Sequence, residues 1–305
     1  MRILVTGSEG LIGKAVVAAC QKRWPLATVI GWDRAVHWES GDCRDYFRYS
    51  HDTIELAFHC AAITGGIEGT TGNPAGLAAI NAQLDGAFFE WALKTNPRRI
   101  VYFSSSCAYP LLPTYVTRQL RESEIDYTRH ADGSTYGTVK LVGEVIANSV
   151  REAGVPVSVV RPFAVYGEHQ ETWRMIPKFI ERALTDSETF EVWGPGDQAS
   201  DFIHVDDAVN AILTMVDQDI DGPVNLGTGI GTTVDEAARM VMNAAGIDRP
   251  IVHNLDKPAG PRWRVADPTL LETFYKPTIS LEEGIQRALY AKAVPLSFGP
   301  GDDLA

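Results

Sequence analysis

The sequence predicts an α/β chain: a doubly wound parallel sheet followed by a smaller C-terminal lobe. Three observations carry the prediction. Strand-like apolar runs alternate with helix-period segments from Arg2 to Gly167, a glycine-rich turn joins the first run to the first helical segment, and beyond Glu168 the alternation breaks into shorter elements. Strict alternation is how a parallel sheet with helices on both faces reads in sequence. The expected boundaries are 1–167 for the sheet domain and 168–305 for an interleaved lobe, with strands from about 196–226 returning to the sheet.

A strand at Ile3 to Val5 enters the turn Gly7-Ser-Glu-Gly-Leu-Ile-Gly13, and a helix follows near Leu11 to Gln21. Gly7 suits a tight turn, Gly10 a close approach of the main chain to a pyrophosphate, and Gly13 close helix-to-strand packing. The amides of the helix start, at Leu11, Ile12 and Gly13, would face the anion. A glycine turn with no ligand is the bland alternative. Ala27-Thr-Val-Ile-Gly-Trp is a second strand ending on Asp33, where a carboxylate can take ribose hydroxyls and repel a 2′-phosphate. That favours NAD over NADP; Arg34 pulls the other way, and a plain surface aspartate is the alternative. Ile54 to Cys60 runs into Ala61-Ala62, small residues at a strand's carboxyl end where ligands bind in such sheets. A loop over 63–76, a helix over 77–95, a strand Arg99 to Phe103, a polar loop over 111–133 and a helix from Ser134 follow. Val155 to Val160 is the next strand, leading to Arg161-Pro-Phe-Ala-Val-Tyr-Gly167. Beyond it, helices are expected at 175–184, 206–215, 234–245 and 281–291, strands at 202–205 and 224–226, and a loose tail from Ser297.

With 305 residues and 45% apolar content the chain can bury a full core. A formal charge of −12 argues against nucleic-acid and anionic-membrane partners, and no apolar run reaches membrane-spanning length. Cys20, Cys43, Cys60 and Cys107 are scattered without a Cys-x-x-Cys pair, which fits a reducing compartment and predicts no metal. The sequence reads as a cytoplasmic, soluble protein.

Tyr136 and Lys140 are four residues apart on one predicted helix, downstream of Ser104-Ser-Ser-Cys-Ala-Tyr-Pro110 at a strand end. With the glycine turn, this order resembles the extended short-chain dehydrogenase/reductase family, the NAD-dependent nucleotide-sugar epimerases and dehydratases, over nearly the whole chain. The resemblance implies a Rossmann-type fold, NAD as cofactor and a nucleotide sugar as substrate. It also implies a homodimer through the helices at 77–95 and 137–151. Ser105, Tyr136 and Lys140 fall on its catalytic positions. A tyrosine ionises near pH 10, so the lysine ammonium and the nicotinamide charge are expected to stabilise the phenolate that takes a sugar proton. Lys140 would also hold the nicotinamide ribose, and Asp42, Cys43, Ser104 and Pro162 join Gly7, Gly10, Asp33, Ala61 and Ala62 as cofactor contacts.

Gly65-Gly-Ile67, Ser105 to Pro110 and Lys257-Pro-Ala-Gly260 look most similar to the GDP-fucose synthase and GDP-mannose epimerase branch. There, residues matched by Cys107 and His169 exchange protons beside a transient ketone; a buried small residue and a loop histidine are the plain alternatives. Two departures touch the substrate side. Ser200 stands where the family has an arginine that grips substrate phosphate, and Ala164 replaces the usual asparagine. Ser105, Ser106, Arg174, Lys178, Lys257 and Arg262 are the candidate substrate contacts, with Arg264 a further charge to weigh. Ser106-Cys107 replaces the Asp-Glu pair of the dehydratases. The expectation is an NAD-dependent C4 epimerase with proton exchange at C3 and C5 as an option. A 4-keto sugar reductase or epimerase-reductase, a 4,6-dehydratase and a non-catalytic dinucleotide binder stand as alternatives.

Overall fold

The computed structural model describes residues 1–34, 42–50, 52–64, 72–128, 131 and 134–293. The Gly65-Gly-Ile67 motif and the tail from Ser297 lie outside the described residues. Six parallel strands form the large sheet: β1 (Arg2–Thr6), β2 (Thr28–Trp32), β3 (Leu56–His59), β4 (Arg99–Phe103), β5 (Val157–Pro162) and, from later in the chain, one at Val224–Leu226. Numbering the intervening strands β6 (Ala164–Tyr166), β7 (Phe190–Trp193) and β8 (Ala199–His204) makes that last strand β9. The order across the sheet is β2-β1-β3-β4-β5-β9. The winding reverses between β1 and β3, and a crevice opens at their carboxyl ends.

Alternate residues of each strand feed opposite cores. Ile3, Val5, Leu56, Phe58, Val101 and Phe103 face one side. Leu4, Ala57, Ile100 and Tyr102 face the other. The first face is covered by α1 (Leu11–Arg23) and by a helix at Val205–Asp217. The second is covered by α2 (Cys43–Tyr49), α3 (Pro74–Thr95) and α4 (Thr135–Glu152). With α5 at Met175–Leu184, the helix at Val205–Asp217 is α6. Helix α2 and the strands β6 and β7 are additional to the elements expected from sequence, and α3 begins at Pro74, capped by the Asn73 side chain.

The segment expected near 202–205 does form a strand, β8, but it joins a separate sheet. It pairs with β6, with β10 (Gly231–Thr233) and, skipping β11 (Ile251–Asn254), with β12 (Trp263–Arg264). The lobe has its own apolar cluster around Phe179, Phe190, Val241 and Ile285, shared by α5, β7, α7 (Val234–Ala244) and α8 (Leu281–Ala293). Buried Asp201 on β8 pins the lobe to the sheet: it accepts the N–H groups of Thr228, Gly229 and Ala266 at 2.7, 2.9 and 3.1 Å. No described helix is long and apolar enough to cross a membrane.

Candidate active site

Gly7 takes a left-handed conformation (φ +69°), and a Cβ there would stand 2.7 Å from the Ala61 nitrogen at the end of β3. A Cβ at Gly13 would lie 1.9 Å from the Gly7 carbonyl oxygen, so glycine is what lets α1 start against the turn. Gly10 differs, since its Cβ would meet only the Gly7 oxygen at 3.4 Å. Protein packing therefore does not demand glycine at position 10, and the main chain there is open to the close approach of a ligand. Gly10 caps α1 with no side-chain hydrogen bond, which leaves the amides at Leu11, Ile12 and Gly13 available to an anion. One Asp33 oxygen accepts the Glu9 N–H at 3.1 Å, fixing the carboxylate at the rim of the same turn. This cradle fits a dinucleotide pyrophosphate with its ribose on Asp33. Ala61, Ala62 and Pro162 stand half-buried at strand ends along the crevice.

Three expected cofactor contacts have their side chains engaged elsewhere. Asp42 caps α2 and takes the Arg44 N–H and Nε, both at 2.9 Å. The Cys43 thiol is buried in the core, and burial pushes it up to about 12. The Ser104 hydroxyl is buried and donates to Glu144.

On the reacting side, Ser105 stands two residues beyond the end of β4 and caps a 3-10 turn at Ser106–Ala108, its Oγ accepting the Cys107 N–H at 3.1 Å. Helix α4 meets this turn through Gly137, where a Cβ would sit 2.0 Å from the Cys107 carbonyl oxygen. The contact sets the start of α4, and Tyr136 with it, against the turn that carries Cys107. Gly137→Ala is expected to push the helix start away and cut turnover at least ten-fold with little change in NAD affinity; parallel kinetics and cofactor titration check this.

Lys140 is fully buried, and its Nζ lies 3.2 Å from both oxygens of Asp85, 4.9 Å from the Tyr102 ring centroid and 6.0 Å from that of Tyr136. Asp85, on α3, was not singled out in the sequence. The Tyr102 hydroxyl donates to it at 2.6 Å, and His59 Nε2 stands 3.4 Å away, its Nδ1 2.8 Å from the Thr6 hydroxyl. Burial pushes the Asp85 carboxyl up, but Lys140, His59 and Tyr102 outweigh it and hold it down at about 2. A depressed folded-state pKa stabilises the fold above the unfolded value near 4, and that contribution is lost as pH falls toward 2. Asp85→Asn should therefore be markedly less stable than wild type at pH 7, with the gap closing between about pH 4 and 2 in denaturation curves.

Burial is the largest influence on Tyr136 and raises its phenol above the usual range; Cys107 and Asp85 add to the rise and Arg174 opposes it. Arg174, at the start of α5, donates to the Thr64 hydroxyl at 3.0 Å and stacks 4.3 Å over Trp173. Arg264 donates to the carbonyls of Ser106 and Tyr109. Both guanidiniums lie within electrostatic reach of Cys107, and burial pulls both below the usual arginine range. The other basic candidates are engaged within the lobe: Lys178 with Glu181, Arg262 with Asp197, and Lys257 over Trp193 at 5.0 Å. His169 is exposed after β6, and among the described residues no hydrogen bond or ion pair joins it to Cys107. Among the described residues no cluster of His, Cys, Asp or Glu could hold a metal ion, and the four cysteines are unpaired.

Residues 3–227 match the model of the NAD dependent epimerase/dehydratase family. The chain belongs to that family. Among its curated relatives, GDP-mannose 3,5-epimerase 1 of Oryza sativa subsp. indica is 26% identical, over 94% of this chain and 80% of that protein. GDP-L-fucose synthase of Escherichia coli (strain K12) is 25% identical, over 93% and 94%. The solved UDP-glucose 4-epimerase of Thermus thermophilus in complex with NAD superposes with a TM-score of 0.85 at 21% identity, covering 97% of this chain and all of that one. This family member is thus an NAD-dependent enzyme of the extended short-chain dehydrogenase/reductase type, with the Rossmann-type fold and nucleotide-sugar chemistry of epimerases, reductases and dehydratases.

Proposed function

We propose that the chain is a nucleotide-sugar epimerase that oxidises the sugar at C4 and returns the hydride within one turnover. The observation carrying this reading is the Gly137 contact, which packs the helix turn bearing Tyr136 against the Cys107 carbonyl of the turn that Ser105 caps, while Asp33 stands at the rim of the glycine turn. Tyr136 Oη takes the proton of the C4 hydroxyl, and the Ser105 hydroxyl holds the same oxygen. NAD, when bound, supplies the acceptor and donor of the hydride. Asp33 favours NAD over its 2′-phosphorylated form, which suits a cofactor restored at each turnover. That preference weighs against a net reductase.

Arg264 pairs in register with Ser200 on the adjoining strand, and this supports it as the cation that takes the substrate diphosphate in place of the family arginine. Proton exchange at C3 or C5 through Cys107 and His169 has less support, because His169 is exposed and no hydrogen bond or ion pair among the described residues holds it toward Cys107. The exposed apolar side chains Leu93 on α3 and Val142 and Val145 on α4 support a homodimer through these helices. Turnover of a panel of UDP- and GDP-sugars in deuterated water tests the reading. A C4 epimer without deuterium is expected. Label at C3 or C5 would restore the two-base mechanism, loss of water would indicate a dehydratase, and cofactor that no sugar reduces would overturn the enzyme reading.

A further inference from the structure

The lysine one turn along α4 from Tyr136 is itself held in place. Lys140 has a buried side chain, and its Nζ stands 3.2 Å from each Asp85 oxygen and 6.0 Å from the Tyr136 ring centroid. Among the described residues, Asp85 is its one hydrogen-bond partner. A flexible four-carbon stem allows an ammonium many positions, and burying it without a counter-charge is costly, so a fixed carboxylate decides where the charge sits. Two strands fix Asp85 in turn. From β4 the Tyr102 hydroxyl donates to it at 2.6 Å, and α4 passes so close over that hydroxyl that a Cβ at Gly143 would collide with it. From β3 comes His59, whose Nε2 is 3.4 Å from Asp85 and whose ring stacks at 4.3 Å on Phe88, one turn along α3. A bare Nε2 lone pair would repel the carboxylate, so the imidazole hydrogen belongs on Nε2, and the Thr6 hydroxyl, 2.8 Å away, donates to Nδ1.

We infer that Asp85 is a positioning residue of the reaction: it sets the Lys140 ammonium at a fixed place one helical turn from Tyr136, and Tyr102 and His59 set Asp85. The inference rests on the reading of Tyr136 and Lys140 as the chemical pair. A cation fixed in a dry site acts on a charge that develops in the reaction without first having to reorient. The network ends at Thr6, directly before the Gly7 turn, so the pyrophosphate cradle and the ammonium belong to one packed unit. Held at about 2, the Asp85 carboxyl stays ionised near neutral pH and takes no proton from the substrate. Its charge has a second effect, of opposite sign. Burial and Cys107 come first in raising the Tyr136 phenol, and the Asp85 charge adds to them. By charge alone, neutralising Asp85 would ease ionisation and speed the reaction; placement of the ammonium predicts a loss.

The test is a double-mutant cycle on the full chain, with NAD and the sugar that the UDP- and GDP-sugar panel shows to be turned over, at a temperature where circular dichroism shows every variant folded. Asp85→Asn should lower kcat about ten-fold or more and leave KM within about two-fold. Added to Lys140→Met, the same change should cost less than about two-fold, because a residue that acts through the lysine then has nothing to act on. The double variant also guards against misfolding, since it removes the pair together and leaves no charge buried alone. A carboxylate that serves only the packing of α3 would cost the same factor in both backgrounds, and that result overturns the inference. An Asp85→Asn chain as fast as wild type, or faster, overturns it too. A measurement without substrate is independent of turnover: proton–nitrogen NMR of the chain with isotopically labelled lysine. The Lys140 ammonium signal, identified by its loss in Lys140→Met, should disappear into fast exchange in Asp85→Asn; a signal that persists unchanged overturns the inference. The reading of Tyr136 and Lys140 as the chemical pair falls separately, through wild-type turnover in Tyr136→Phe or Lys140→Met.

Discussion

Tyr136→Phe is expected to slow hydride transfer about 1,000-fold while leaving fold and NAD affinity intact. The substitution removes one oxygen from a half-buried ring, and no described neighbour depends on that oxygen for a hydrogen bond. The Asp85–Lys140 pair, the Gly137 contact and the glycine turn do not involve it. The loss therefore isolates proton transfer from binding. Absorbance of the reduced cofactor, followed after mixing with whichever nucleotide sugar the panel shows to be turned over, measures it. Undiminished reduction would remove Tyr136 from the chemistry.

Arg161→Met is expected to cost about 3–5 kcal/mol of stability, because it leaves the buried Glu144 carboxylate uncompensated. Arg161 is wholly buried on β5. Its Nε and Nη2 donate to the two Glu144 oxygens at 2.9 and 2.7 Å, and its Nη1 to the Tyr109 hydroxyl and the Glu122 carbonyl, both at 2.9 Å. Glu144 in turn accepts from Ser104, next to Ser105. The double change Arg161→Met/Glu144→Leu should regain much of the loss, since a buried pair is often replaceable by apolar volume although half of one is not. Urea unfolding of the three proteins checks both statements; equal losses in single and double variants would show that packing, not charge, dominates.

How much of this was legible in the chain differs between cofactor and substrate. The Gly7, Gly10, Gly13 spacing and the four-residue separation of Tyr136 from Lys140 are local patterns, and local geometry carries them into place. Strands β1 to β5 were legible for the same reason: each is an apolar run with its own turn signals. Asp85 and His59 were not, because their meaning is three-dimensional. Each looks ordinary until α3 and β3 pack; the only hint was a lone acid before Gly-Ala-Phe-Phe in an apolar helix. Helix α2 is short and half polar, so periodicity says little about it. His169 was singled out by a match along the chain, as a proton-exchange partner of Cys107 on the opposite face of the sugar; the fold leaves its side chain exposed after β6.

The register of β8 with β12 has a consequence for how this pocket can change over time. Ser200 and Arg264 are distant in the chain but side by side on one sheet surface. If the diphosphate is gripped from position 264, the grip belongs to an address on that surface, and the charge can move from one strand to its neighbour without the ligand moving. Column-by-column comparison sees only Ser200 and misses that Arg264 stands beside it in the sheet. On that reading Ser200→Arg would put a second guanidinium beside Arg264 and disturb the grip rather than strengthen it.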